Sequence, residues 1–557
     1  MSWQACVITL LPEAFPGMLG HALAGRALNK GVWLLDIVAL RDFGTGKHQS
    51  VDDTPSGGGA GMVLRADIAA AAYDTAIAAH PGLPVMAMTP RGKPLTQKRV
   101  QELADGPGLI VFCSRFEGVD ERFYDTRAVE EVSLGDVQRS VAAGNRAHRN
   151  LSLYCHIPFC ASVCYYCACN KIITHKTDRA VEYLDYLMRE IKMQASLFDR
   201  SRKLTQLHLG GGTPTYLTSE QLADLMATLH DAFNMDDSDN HEFSLEVDPR
   251  TVTPAQIHQL RELGFNRLSF GVQDFDEQVQ IAVNRIQTEE QTRELVQAAR
   301  DAHFKSISVD LIYGLPLQTV ESFGVTLDKI IDIRPDRIAA YSYAHLPDLV
   351  RAQKLIRPED MPPPERKLEL LELTIQRLTD AGYVYIGMDH FSLPDDELTL
   401  ARANGTLQRN FQGYSTHADC DLIGLGISSI GKVGNSYSQN VKELSQYYAR
   451  LNEGMLPVHR GYQLSEDDRL RRDVIVSLMC HGRIDYAEIE QRYGIDFKAY
   501  FADSLAKLDE HIADGLVEIN DDALVLLPQG QLMLRNVAMA FDAYLGGEQR
   551  GRFSRTV

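Results

Sequence analysis

The sequence predicts an α/β protein of more than one domain, whose largest part is a parallel sheet curled into an open or closed barrel. Two observations carry this. Short β-rich runs alternate with long amphipathic stretches through residues 151–343, giving six β-α units in succession. Polar, chemistry-bearing residues fall at the C-terminal ends of those runs, where such barrels place their chemistry. A third feature sets off the N-terminal quarter: the rhythm before residue 137 differs from the rhythm after it.

Residues 1–136 read as an α/β region. Apolar strands are expected at Val7–Leu11 and Leu109–Cys113, and a glycine cluster stands at Gly57, Gly58, Gly59 and Gly61. Residues 137–150 (V-Q-R-S-V-A-A-G-N-R-A-H-R-N) are weakly patterned and end basic, as a junction would. The barrel region is assigned to 151–455, with strands at Leu153–Ile157, Leu204–Leu209, Phe243–Val247, Arg267–Val272, Ile307–Ile312 and Ile338–Tyr343. Between them lie helical patterns such as V-E-Y-L-D-Y-L-M-R-E-I. Residues 456–557 read as a small helical or winged-helix module. It has a capping signature at Ser465 and a hairpin turning at Asn520–Asp522.

Bulk properties narrow the function. The 557 residues are 45% hydrophobic and 24% charged, with no run approaching a membrane span. A net charge of -19 argues against non-specific nucleic-acid binding. The N-terminus lacks the basic segment of a signal peptide, so a cytoplasmic protein is expected. Clustered cysteines in such a chain point to a reducing compartment and a metal rather than to disulfides.

Five of the nine cysteines lie within residues 154–170, Y-C-H-I-P-F-C-A-S-V-C-Y-Y-C-A-C-N. Cys160, Cys164 and Cys167 have the spacing C-x-x-x-C-x-x-C. Three thiolates so placed can hold one side of a 4Fe–4S cluster and leave the fourth iron open to a substrate. Spacing alone leaves two other readings: a structural zinc site, or packing on one helix face. One strand later stands G-G-G-T-P-T (Gly210–Thr215), where missing Cβ atoms let a ligand approach the backbone. The bland reading of that motif is a tight turn. Glu246 and Asp248 end the third run, Gln273 follows the fourth, and Asp310 lies in the fifth.

These motifs and their spacing make the chain recognisable. Residues 151–557 resemble the oxygen-independent coproporphyrinogen III dehydrogenases, which are radical S-adenosylmethionine (SAM) enzymes. The likeness rests on L-S-L-Y-C-H-I-P-F-C, C-Y-Y-C-A-C-N-K, L-G-G-G-T-P-T-Y-L, E-V-D-P-R, R-L-S-F-G-V-Q-D-F, D-L-I-Y-G-L-P, Y-A-H-L-P, G-M-D-H-F and R-N-F-Q-G-Y. It implies an incomplete (β/α)6 barrel with a C-terminal helical domain. It also implies a reaction in which two propionates of coproporphyrinogen III are oxidatively decarboxylated to vinyl groups in haem biosynthesis. By the same likeness, Cys160, Cys164 and Cys167 hold the cluster. Tyr154, Gly211 and Glu246 contact its SAM, and Tyr154 and Glu246 are the catalytic candidates. Tyr166, Gly212, Thr213, Gln273, Arg285, Asp310, Ala344 and Ile430 match the pocket of a second SAM. A flavodoxin- or ferredoxin-like electron donor, no membrane and a monomer are expected. Cys169 separates this likeness from the related haem chaperones, an alternative reading that predicts stable haem binding and no vinyl product.

Residues 1–136 resemble the N-terminal half of the bacterial tRNA guanine-N1 methyltransferases. The matching stretches are H-Q-S-V-D-D-T-P-S-G-G-G-A-G-M, T-P-R-G-K-P-L, F-C-S-R-F-E-G-V-D-E-R and V-S-L-G-D, ending at Asp136. The resemblance implies a truncated α/β-knot fold. Thr89–Gly92 and Arg115–Gly118 correspond to two of its three SAM-binding loops. The third loop and the C-terminal domain are not found after Asp136, so no tRNA partner and no methyl transfer are expected. The alternative is a bifunctional protein that methylates tRNA. The join reads as a rearrangement rather than a designed fusion.

Overall fold

A computed structural model describes residues 2–46, 49–53, 62–95, 97–114, 119–124, 126–133, 141, 144–411, 413–417 and 420–545. The chain divides into two compact units, 1–142 and 143–557.

Besides a short antiparallel pair, Asp52–Asp53 with Val63–Leu64, the first unit has a five-stranded, wholly parallel sheet. Its order is Trp33–Ala39, Trp3–Thr9, Gly108–Cys113, Val85–Pro94, Glu130–Ser133. Helix Ala66–Ala79 buries Ile68, Ala69, Ala72, Tyr73 and Ala76, a single helical face, against Cys6, Ile8, Ile110 and Phe112. The strand expected over Val7–Leu11 starts earlier and stops at Thr9. There the Leu11 amide donates to Thr9 Oγ1 (3.1 Å) and turns the chain into the short helix Pro12–Ala14. The segment Thr89–Gly92 lies in strand Val85–Pro94. The glycine cluster at 57–61 and the segment Arg115–Gly118 lie outside the described residues.

In the second unit the six expected strands form in sequence, as Leu151–Ile157, Lys203–Gly211, Glu242–Val247, Arg267–Gln273, Ser306–Tyr313 and Arg337–Ser342. Each pairs in parallel with the next. Several of the intervening helices begin on capping boxes: Thr218 with Gln221, Thr253 with Gln256, Thr319 with Ser322. Each box satisfies two amides that the first helical turn leaves unpaired.

The sheet stays open. Past Arg337–Ser342 it continues antiparallel through His390–Ser392 and Val384–Gly387. Past the first strand it gains a further parallel strand, Asp421–Leu425, and then three antiparallel ones. The added parallel strand is buried along its whole length and was not anticipated. It is anchored by Arg202, whose side chain is fully buried, against Asp421 at 2.6 Å, with Arg149 alongside at 3.1 Å. Asp421 also accepts from the Gly434 amide at 2.8 Å. Asp421→Ala would strand the Arg202 guanidinium in the interior, a change that typically costs about 3–5 kcal/mol. A clear fall in the thermal midpoint of the second unit is expected, readable by calorimetry.

The C-terminal segment follows the winged-helix expectation. Helix Glu466–His481 opens on a capping box between Ser465 and Asp468 and ends at Gly482 in the left-handed conformation. A three-stranded sheet follows, ordered Arg483–Asp485, Ala523–Leu526, Val517–Ile519. Its hairpin turns where Asn520 Oδ1 accepts from the Asp522 and Ala523 amides. The Arg483–Asp485 strand was not anticipated.

Candidate active site

The C-terminal ends of the parallel strands surround a cavity of about 270 Å³. Residues from the cysteine loop, the glycine edge and the ends of the later strands all face it.

The cysteine loop is not helical between Ala161 and Lys171, which removes the helix-face reading of its spacing. Its course is fixed by backbone bonds to other elements. The Tyr165 amide donates to Val283 O (2.9 Å), the Thr174 amide to Cys160 O (3.0 Å), and Asn284 Nδ2 to Val163 O (2.7 Å). Lys171 Nζ donates to Cys167 O at 2.6 Å. Cys160, Cys164 and Cys167 all line the cavity. Among the described residues these three sulfurs are not all within 4.8 Å of one another. A tetrahedral zinc with sulfurs at about 2.3 Å would draw them much closer. The donor set therefore fits a larger polynuclear group better than a single ion.

The three sulfurs accept hydrogen bonds or sit near cations, but of Cys160 and Cys167 only the second is shifted toward the thiolate. Thr213 Oγ1 donates to Cys160 Sγ (3.3 Å), Arg250 to Cys164 Sγ (3.5 Å) and Arg285 to the same sulfur (3.6 Å). A hydrogen bond from Cys169, working against burial and helped by the Lys171 ammonium, pulls Cys167 down to about 6. Burial, partly offset by the Thr213 hydrogen bond, pushes Cys160 up to about 11. Cys155 is fully buried in the first strand, as a packing residue would be.

The glycine edge is built for close approach. A Cβ on Gly212 would fall 2.7 Å from the Pro158 carbonyl, a backbone group that has little room to shift. Gly211 has φ +118, which other residues rarely adopt, and its amide donates to Glu246 Oε2 at 3.2 Å. The accessible part of the Glu246 side chain opens into the cavity. Burial opposes its ionisation, but His208 (3.3 Å) and the Gly211 amide hold it below the usual carboxylate range. Asp310 is the opposite case. Burial and the neighbouring Glu246 charge push it up to about 7, with Ser269 donating at 3.1 Å. Two carboxyls in one cavity are thus shifted in opposite directions, Glu246 down and Asp310 up.

Arg285 is buried and bridges Asp248 (3.1 Å) and Gly271 O (2.5 Å). Gln273 adopts φ +70, and its buried Oε1 has no protein partner. An unanswered buried acceptor beside a cavity fits a ligand that donates a hydrogen bond.

Tyr166, Gly211, Gly212, Thr213, Glu246, Gln273, Arg285 and Asp310 thus meet the three cysteines in one cavity. Three other candidates lie outside it. Tyr154 stacks on His208 (5.9 Å between ring centres) and donates to His156 Nδ1 (3.0 Å), so it supports the Glu246 partner rather than facing the cavity. His156 in turn donates to Asn170 O (2.8 Å), tying the first strand to the end of the cysteine loop. Ala344 lines an adjoining cavity of about 610 Å³, because the sixth strand ends at Ser342 and the chain turns away. Its carbonyl shares Gln353 Nε2 with that of Tyr166. Ile430 sits on the antiparallel extension, paired with Gln439. Sequence reasoning missed Arg250, Lys171, Ser269 and Tyr341. Tyr341 borders both cavities, and its position inside a β-run gave no sign of that.

Comparison with known proteins adds the following. A family model for tRNA (guanine-1)-methyltransferase TrmD matches residues 3–145, past the Asp136 at which the sequence likeness was placed. The radical SAM superfamily model matches residues 154–330, and the HemN C-terminal domain model matches 464–533. The oxygen-independent coproporphyrinogen III oxidase of Pseudomonas aeruginosa is 48% identical over 428 residues, covering 77% of this chain and 93% of that protein. Its Escherichia coli K12 counterpart is 47% identical over 435 residues, covering 78% and 94%. The solved structure of coproporphyrinogen III oxidase (HemN) from Escherichia coli, described as a radical SAM enzyme, superposes with a TM-score of 0.71 at 48% identity. The match covers 73% of this chain and 93% of that one.

Proposed function

This chain belongs to the radical SAM family of oxygen-independent coproporphyrinogen III oxidases, and from that premise we propose that it oxidatively decarboxylates coproporphyrinogen III to protoporphyrinogen IX in haem biosynthesis. Membership implies a 4Fe–4S cluster and SAM. The observation that carries the reading is the meeting of three cysteines, a glycine edge and two unlike carboxyls in one cavity at the strand ends.

Cys160, Cys164 and Cys167 would hold the cluster. Gly211 and Glu246 would receive its SAM, with Tyr154 acting through His208. Glu246, ionised, accepts from an ammonium or a hydroxyl. Tyr166, Gly212, Thr213, Gln273, Arg285 and Asp310 would hold a second SAM, with Ala344 and Ile430 at its margin. Gln273 Oε1 offers a free acceptor, and Arg285 Nε, a buried donor without a protein partner, offers an N–H to a carboxylate. When bound, the cluster and SAM supply a low-potential electron and the radical chemistry that removes a hydrogen atom from a propionate side chain. The protein's own task is to orient that side chain and keep water away from it.

The electron would come from a flavodoxin- or ferredoxin-like donor. No helix among the described residues is long and apolar enough to cross a membrane; we place the protein in the cytoplasm, as a monomer. No methyl transfer is assigned to the first unit.

The test is anaerobic turnover of the cluster-reconstituted chain with SAM, a strong reductant and coproporphyrinogen III. Formation of 5′-deoxyadenosine together with vinyl porphyrinogen is the expected result. Neither product from a fully loaded chain would overturn the reading, and stable haem binding in their place would indicate a chaperone.

A further inference from the structure

We propose that Cys6, Asp36 and His80 form a binding site in the first unit for a divalent transition ion of the zinc type. The three residues come from separate elements that the fold brings together. Cys6 lies on strand Trp3–Thr9, and Asp36 stands directly opposite it on the paired parallel strand Trp33–Ala39. His80 is the C-cap of helix Ala66–Ala79, which packs over that face of the sheet. The Cys6 sulfur, a carboxylate oxygen of Asp36 and a ring nitrogen of His80 all lie within 4.8 Å of one another. No other trio of His, Cys, Asp or Glu among the described residues meets that condition.

The hydrogen bonds around the trio leave its three donor atoms turned toward one another. His80 Nδ1 lies 3.3 Å from Gln4 Oε1, and Nε2 lies 3.0 Å from Asp36 Oδ2. Both ring nitrogens therefore face oxygens, whereas a neutral imidazole has a single N–H. With that hydrogen on Nδ1 toward Gln4, the Nε2 lone pair is directed at a carboxylate. Either a proton on Nε2 or a metal ion held between the two groups satisfies this geometry, and a cobalt titration separates them. In metal sites the second ring nitrogen characteristically donates to a carbonyl in this way. Asp36 Oδ1 accepts from the Ile37 amide at 2.9 Å, which orients the carboxylate and leaves Oδ2 for the ion.

The chemistry of the set selects the ion class. Thiolate, imidazole and carboxylate together suit zinc and its analogues, and are unlike the all-oxygen sets of magnesium or calcium. The cysteine is fully buried, while the Asp36 side chain is 56% exposed. An ion would thus enter from the Asp36 side and keep water in its fourth position. On binding, the thiol proton is released to solvent as the metal–sulfur bond forms. The ion would clip the first two strands of the sheet to the end of the helix that covers them.

The test uses the full chain with its iron–sulfur site fully loaded, so that the loop cysteines are occupied. After chelator washing, cobalt(II) is titrated in and the thiolate-to-cobalt charge-transfer band is followed; zinc is then added to displace it and is counted by elemental analysis. One equivalent per chain, with a single-thiolate band, is expected. His80→Ala and Asp36→Asn should each weaken binding by at least the roughly 10–100-fold that loss of an outer-shell partner costs, and Cys6→Ser should abolish the band. His80 is partly exposed, and circular dichroism checks that its variant is folded. Absence of the band from the wild-type chain would overturn the proposal, as would binding that survives unchanged in the folded variants. In that event the trio is an ion pair beside a buried thiol.

Discussion

Cys164→Ala is expected to abolish turnover, a loss of about 10⁶-fold or more given the usual scale of enzymatic acceleration. It should also lower bound iron to the level of a non-specific adduct. Cys164 is the sulfur on which two cations converge, Arg250 at 3.5 Å and Arg285 at 3.6 Å. Removing it leaves both guanidiniums without a sulfur acceptor on that side and breaks the three-thiol set. Cys160→Ala and Cys167→Ala should have the same effect on iron. Cys155→Ala is the internal control. That side chain is equally sulfur-bearing and fully buried, but it points into the strand packing. It should lose some stability and keep its iron. Iron and sulfide assays on the four variants, beside the turnover assay, check the contrast. A Cys164→Ala protein with full iron content would contradict the assignment of the ligands.

Asp248→Ala is expected to give the second-largest effect, through electrostatics rather than ligand loss. Asp248 accepts from Arg250 (3.0 and 2.7 Å) and from Arg285 (3.1 Å), and it is almost wholly buried. Without it two neighbouring cations face each other in the interior, which costs about 3–5 kcal/mol. They would also be free to collapse onto Cys164. Burial alone would raise the Asp248 pKa, but Arg250 and Arg285 hold it below the usual carboxylate range. The sign of the pH dependence follows. A depressed native pKa adds stability that is present above the unfolded value of about 4 and is lost as pH falls through the native value. The stability gap between wild type and Asp248→Ala should therefore be full at neutral pH and shrink in acid. A gap that is constant with pH would mean that Asp248 acts by packing. Chemical denaturation at several pH values below 5 and at 7 separates the two.

The parts of this architecture that were legible in sequence are those set by local pattern. Alternating apolar runs located the six barrel strands to within a few residues, because the second to the fifth alternate buried and partly buried residues and are each followed by a helix with a side-chain cap. The cysteine loop and glycine edge were legible because sulfur and missing side chains have few other uses at such spacing. Contacts fixed at long range were not. Strand Asp421–Leu425 lies in D-L-I-G-L-G-I-S-S, too short and glycine-rich to stand out. Its partner Arg202 is 219 residues away. Lys171, Arg250 and Tyr341 reach the cavity because of where their backbones turn, which pattern alone does not encode. Ala344 and Ile430 show the converse: a motif match gives neighbourhood, and the ends of strands decide which cavity a residue faces.

The late return of Asp421–Leu425 to the first strand bears on how the chain is made. Each of the other parallel pairings can form as soon as the next strand has been synthesised. The outer side of Leu151–Ile157 must wait for a partner that lies most of the barrel sequence away; Arg149 and Asp421, which fix that junction, are 272 residues apart. At about 5–20 residues per second this leaves a bare apolar edge on the nascent chain for on the order of tens of seconds. It is also the strand that leads into the cysteine loop. The strand that leads into the cysteine loop is thus the one whose parallel cover is synthesised last, and its edge is the one most open to mispairing before that closure.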